Sequence, residues 1–150
     1  MARKMSQSER DLDTLARTIW GEARGETRSG RQAVANVVMN RVADPGWWTR
    51  EPGFEADTVE AACRMPWQFS CWNQNDPNSA KLAQVDTTNA AFRVCLALAG
   101  VAMSGQLPDI TGGADHYHVK TMKNPPQWAK GRVPTAIIGR HAFYKIGRRG

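Results

Sequence analysis

The chain is short of what several function classes need. Its three cysteines, Cys63, Cys71 and Cys95, are an odd number, and no Cys-x-x-Cys pair or His/Cys cluster has zinc-ligand spacing. They read as buried free thiols from a reducing compartment, although spacing alone leaves a Cys63–Cys71 bridge open. The longest apolar stretch, residues 96–103, is far too short to span a bilayer. The first residues, MARKMSQSERDLD, lack an apolar core and a cleavage site, so a protein made soluble in a cytoplasm is expected. There is no internal repeat, low-complexity tract or linker, and 150 residues suit one domain over 1–150 with a real core. Acidic residues are the scarcer charge, 14 against 20 Lys and Arg, for a net charge of +6. That excess favours an anionic partner: nucleic acid, an anionic membrane or an anionic cell wall. Small basic clusters lie near both ends, at Arg3-Lys4 and from Lys145 to Arg149.

What is present is helical periodicity interrupted by glycine and aromatic loops. Ser8-x-x-Asp11 resembles a capping box, and Leu12, Leu15, Ala16 and Ile19 have amphipathic spacing, so a first helix runs to about Ala23. Ser29-x-x-Gln32 signals a second, with Val34, Val37, Val38 and Val42 on one buried face. Short helices are expected from Asp57 through Cys63 and after Asp76-Pro77. Residues 87–103 form the longest regular apolar segment and read as the central core helix. Residues 116–119, HYHV, alternate as a short strand would, and the chain closes with a loop and a short strand or tail. The expected fold class is mainly α (α+β), a helical domain with long loops and at most a short β-hairpin.

Three stretches carry candidate chemistry. GEARGE, residues 21–26, sets Glu22 and Glu26 four apart, each behind a glycine. A carboxylic acid protonates a leaving oxygen at neutral pH only if burial or a like charge raises its pKa, and Glu22 is the candidate for that role. Gly21 would let a substrate approach the backbone. Glu26 reads as local support, or as a second carboxylate, a role for which Asp115 also qualifies. Residues 67–72, WQFSCW, combine aromatic faces that stack on sugars or bases with Gln68 and Ser70 for directed hydrogen bonds. Phe69 and Trp72 belong to the same patch, with Phe69 expected to double as a core anchor. His116 and His118 would share one face of a strand, with His141 as a conceivable third ligand. No carboxylate pairs with them in the sequence, so cleft-lining roles are expected, without a metal or any other cofactor.

Taken in order, IWGEARGE, AVANVVMNRV, QFSCW, D-I-T-G-G-A-x-H-Y, P-x-W-A and IGRHAFY resemble the SleB/CwlJ-type cell-wall hydrolases, a family with spore-cortex-lytic enzymes and phage endolysins. The resemblance runs from about Leu15 to Tyr144. It implies a lysozyme-like fold and cleavage of the MurNAc–GlcNAc β-1,4 bond of peptidoglycan. The catalytic glutamate of the family motif falls on Glu22. The glycan-lining block falls on Gln68, Phe69 and Ser70, and the Gly-Ala-x-x-Tyr block on Gly113, Ala114 and Tyr117. A short, basic, signal-less chain looks like a single-domain phage endolysin. It would be a monomer, made in the host cytoplasm, reaching the wall or periplasm after holin-assisted release and drawn to the anionic envelope by its charge. With one evident carboxylate, a lytic transglycosylase is favoured over a hydrolytic muramidase. Two rivals of another class are a basic nucleic-acid-binding module, for which no helix-turn-helix, zinc-finger or RNP-type motif is present, and a non-catalytic glycan-binding module.

Overall fold

The computed structural model describes residues 3–148; Arg149 of the basic C-terminal cluster lies outside them. Helix α1 spans Gln7–Ala23 and α2 spans Arg28–Ala43. After a 3-10 turn at Trp47–Thr49 come α3 (Val59–Arg64), a second 3-10 turn at Ser70–Trp72, α4 (Asn78–Gln84) and α5 (Ala90–Met103). The last third supplies strands β1 (His116–Val119), β2 (Ala136–Ile138) and β3 (His141–Tyr144).

The helices start where their caps are best satisfied. At α1 the box is Ser6-x-x-Glu9 rather than Ser8-x-x-Asp11: Glu9 N donates to Ser6 Oγ at 3.1 Å and Ser6 N to Glu9 Oε1 at 3.1 Å. The displaced Asp11 serves tertiary structure, accepting from Glu60 N at 2.9 Å and so fastening α3 to α1. The second helix is capped by Thr27, not Ser29, with Gly30 N donating to Thr27 Oγ1 at 3.3 Å.

The central helix is α1. Leu15, Ala16 and Ile19 are fully buried, and α1 packs against α2, α3 and α5. The apolar 87–103 segment, expected at the centre, begins only at Ala90 and lies at the periphery. Phe92, Cys95, Ala99 and Ala102 face inward, while Val94 and Val101 are 50% and 43% exposed. Helix α2 contributes Val34, Val37 and Val38, and Arg41 continues that face. Cys63, Cys71 and Cys95 are free and buried, as the odd count suggested. Burial pushes the Cys63 thiol up to about 12 and Cys95 up to about 11, so both are protonated core groups.

The sheet is antiparallel with strand order β1-β3-β2. It exceeds the single hairpin expected by one strand. The β2–β3 turn makes that hairpin, and β1 adds to the far edge of β3, pairing Tyr117 with Phe143 and His118 with Ala142. All four residues of β3 are buried, so the sheet is anchored by its middle strand. This brings Tyr117, on β1, against the C-terminal turn of α1.

Candidate active site

Glu22 sits in the last turn of α1. Its Oε1 accepts from the Tyr117 hydroxyl at 2.6 Å. Its Oε2 accepts from Cys71 N at 3.2 Å and lies 3.4 Å from Ser70 Oγ. The three partners come from β1 and from the Ser70–Trp72 turn, so two distant parts of the chain hold one carboxylate. Gly21 explains how that turn comes so close. A Cβ at position 21 would lie 2.7 Å from Cys71 Cβ and 2.8 Å from its Sγ. The glycine therefore admits the turn, and it also lines the cleft beside Glu22. Burial, and then the Glu22 charge, raise both the Tyr117 hydroxyl and the Cys71 thiol well above their ordinary values. Tyr117 thus stays a protonated donor across the physiological range.

Around Glu22 opens a cleft of about 690 Å³, a size that suits a small-molecule or sugar ligand. Gln68, Ser70, His116 and Tyr117 line it, as expected from the sequence. Four other expected residues do not. Phe69 is 1% exposed and packs on the Tyr117 ring, a core role. Trp72 turns away from the cleft and donates its Nε1 proton to Thr18 Oγ1 at 2.8 Å. Ala114 is fully buried and its carbonyl accepts from Asn40 at 2.8 Å. Gly113 has φ +82 and donates to Asp109 Oδ2 at 3.0 Å, a turn-forming role.

The two candidate second carboxylates are occupied elsewhere. The α1 helix ends at Ala23, so Glu26 is not carried one turn further along the same face. It is 8% exposed and accepts from Arg140 N at 3.1 Å and Arg140 Nε at 3.0 Å. Desolvation opposes its ionisation, but the hydrogen bonds and charge of Arg140 outweigh it and hold the carboxyl below its ordinary value. Asp115 is 6% exposed and accepts from Ile146 N and Gly147 N, both at 2.9 Å, and pairs with His116 Nδ1 at 2.8 Å. Its carboxyl too is depressed, by these bonds acting against desolvation. Neither lines the cleft, and Glu22 is the one acidic residue among the described residues that does.

The histidines do not converge on a point. His116 lies against the Trp128 ring at 4.9 Å and His118 at 5.7 Å, with His118 Nε2 3.1 Å from the Tyr144 hydroxyl. His141 meets the Tyr117 ring edge-on at 5.0 Å, and its Nδ1 lies 3.2 Å from Glu26 Oε1 without the alignment of a hydrogen bond. Burial keeps His141 below its ordinary value, against the pull of the Glu26 and Glu22 charges.

Sequence reasoning missed Arg41 and gave Trp128 no role. Arg41 is 3% exposed and lines the cleft floor between the Trp48 and Phe69 rings. Its Nη1 donates to Gln68 Oε1 at 3.0 Å and its Nε to Asp115 O at 2.8 Å. Burial brings it down to about 10, so it remains a cation at neutral pH. Positions 34, 37, 38 and 41 share a helical face, a spacing that points Arg41 inward. Trp47, Trp67 and Trp128 complete the rim, Trp47 and Trp67 with 49% and 74% of their surface exposed. Exposed indoles beside a polar floor suit the stacking of sugar rings.

Residues 25–144 match the family described as Cell Wall Hydrolase. The matched stretch starts three residues after Glu22. A spore cortex-lytic enzyme of Halalkalibacterium halodurans is 29% identical over 140 residues, which is 91% of this chain. The chain spans 35% of that relative's length. The crystal structure of the catalytic domain of the Bacillus cereus SleB protein superposes with a TM-score of 0.66 at 26% identity, covering 97% of this chain and 95% of that one. The catalytic domain of the germination-specific lytic transglycosylase SleB from Bacillus anthracis gives 0.64 at 27%, covering 97% and 100%.

Proposed function

This chain belongs to the cell wall hydrolase family of SleB/CwlJ type, with its lysozyme-like α+β fold, and from that premise we propose that it cleaves the MurNAc–GlcNAc β-1,4 bond as a lytic transglycosylase. The observation that carries the choice of chemistry is the lone carboxylate of the cleft. Hydrolysis with a single acid would need a partner to activate water or trap the sugar, and both Glu26 and Asp115 are bound by backbone amides.

In this reading protonated Glu22 gives its proton to the glycosidic oxygen as the C1–O bond breaks, and the GlcNAc hydroxyl departs. The ionised carboxylate then takes the proton of the muramic-acid 6-hydroxyl as that oxygen bonds to C1, closing a 1,6-anhydro ring. Atoms balance without water, and Glu22 returns to its starting state. Tyr117 fixes Oε1 by a short bond. The longer contacts at Oε2 leave that oxygen freer to exchange a proton with substrate. Gln68, held by Arg41, and Ser70 present polar groups to N-acetyl and hydroxyl substituents.

The proposal extends to an endolysin that is drawn to the anionic wall by its net charge of +6 and acts there after holin-assisted release from the host cytoplasm. Expression inside a bacterial host with and without a membrane-permeabilising protein tests that part, lysis being expected only with it. The chemistry is tested by mass spectrometry of soluble products from purified peptidoglycan, wild type beside Glu22→Gln. Anhydro-muropeptides that vanish in the variant are expected. Reducing-end products, one water heavier, would make the enzyme a muramidase.

A further inference from the structure

A second cavity, of about 590 Å³, lies beside the Glu22 cleft, and Trp67 is the one residue lining both. Trp67 has φ +67, a left-handed conformation costly for a large side chain, and its indole is 74% exposed. It stands as a ridge between the two spaces. The second cavity holds Phe54, Arg64 and Trp72 with the amides of Asn73, Gln74 and Asn75.

Arg64 is the unusual member. It ends α3 and its guanidinium lies 4.3 Å over the Trp72 ring and 5.2 Å from that of Phe54. Such packing engages the planar faces of a guanidinium and leaves its in-plane N–H fork available. Among the described residues no carboxylate comes within salt-bridge distance of Arg64, and its side chain makes no hydrogen bond to the protein. Trp72 is itself fixed, by its bond to Thr18. A cation has thus been oriented by aromatic packing, yet has no acidic partner among the described residues. Glu51 lines the same cavity and likewise forms no ion pair among the described residues. A cation, an anion and amides lining one cavity fit a peptide carrying both a carboxylate and an amine.

We infer that this cavity is a subsite for the stem peptide of peptidoglycan, in which the Arg64 fork takes a stem carboxylate while the glycan lies in the Glu22 cleft. The inference rests on the glycan-cleaving reading above. The stem peptide hangs from the lactyl ether of muramic acid, so a peptide-bearing strand seated beside Glu22 sends a branch sideways, and Trp67 is the ridge that branch would cross. Asn73, Gln74 and Asn75 match peptide donors and acceptors. Glu51 would meet the free amine of a diamino-acid residue in the stem.

The test compares KM on purified glycan bearing its stem peptides with KM on the same glycan stripped of them by an amidase. For the wild type, KM is expected about tenfold lower on the peptide-bearing glycan, the worth of one charge-assisted bidentate contact. Arg64→Gln should bring the two KM values together. Titration of wild type with free L-Ala-γ-D-Glu-diaminopimelate, followed by tryptophan fluorescence, should show saturable binding that the variant weakens. Equal wild-type KM values, or an unchanged ratio in the variant, would overturn the proposal. A variant that raises both KM values equally, with no tripeptide binding to the wild type, would give the cavity to further sugars. If the wild type cuts neither glycan, the catalytic reading fails, and tripeptide titration alone then decides this one.

Discussion

Removing the hydroxyl of Tyr117 takes one hydrogen bond from Glu22 and leaves the ring packed on Phe69 and Phe143. Tyr117→Phe is therefore expected to keep the melting temperature within a few degrees and to lower kcat by roughly tenfold or more, the value of one oriented bond to a reacting carboxylate. Gly21→Ala works differently. A methyl group there must displace the Ser70–Trp72 turn, because the atom it meets is the Cβ of Cys71 rather than a flexible tip. A loss of about 1–3 kcal/mol of stability is expected, together with most of the activity, since Cys71 N leaves Oε2. Urea unfolding and a turbidity assay on cell walls would separate the two effects. At this scale the sequence was a mixed guide. Glu22 and Tyr117 were legible from their motifs, but a motif does not say which way each side chain points. Phe69, Gly113 and Ala114 share those motifs and turned out to support the site from behind. Arg41 was missed although helical spacing carries it, because the neighbouring Val42 was credited with that face.

Glu26 acts between elements. It fastens the corner between α1 and α2 to the β2–β3 turn, where Gly139 has φ +56 and a Cβ would sit 3.0 Å from Glu26 Oε1. The carboxylate therefore fills the space that a side chain at 139 would need. Glu26→Ala strands the Arg140 amide but frees a guanidinium that is already 71% exposed, so about 1–3 kcal/mol is expected rather than the cost of a fully buried pair. Its effect on activity should follow from sheet position, appearing in KM and kcat together. A second nucleophilic carboxylate would instead lose kcat alone. The helices themselves were readable because apolar spacing of 3.6 survives in one dimension. The sheet was half readable. Strand β1 alternates, whereas β2 and β3 are three and four residues long and one is buried on both faces, so neither shows a period. The use of Asp115 and Glu26 by backbone amides arises from residues 31 and 114 positions away, beyond any local pattern.

For the molecule as a whole, four groups that lose solvent on folding contribute to the acid limit. Glu26, Asp109 and Asp115 are each held below their ordinary values by hydrogen bonds acting against desolvation, and His141 is lowered by burial. All four bind a proton less readily when folded, so the unfolded chain takes up more protons as the pH falls. Stability should be full above about 6.5, decline slightly as the unfolded histidine charges, and fall steeply below about 4.5 as the carboxylates protonate. Calorimetric melting temperatures from pH 8 to pH 3 would check the direction, and rising stability toward acid would contradict it. Because Cys63, Cys71 and Cys95 are unbridged, dithiothreitol should leave the melting temperature unchanged.

The bond between Tyr117 and Glu22 spans 95 residues, and the strand that carries Tyr117 is pinned by a later one, β3. A ribosome therefore releases the acid long before its holder. Until residues near 144 have emerged and docked, a nascent chain can offer Glu22 the Ser70–Trp72 turn but not Tyr117 or the sheet side of the cleft. On the proposed reading, the acid would gain its Tyr117 partner only in the event that completes the sheet.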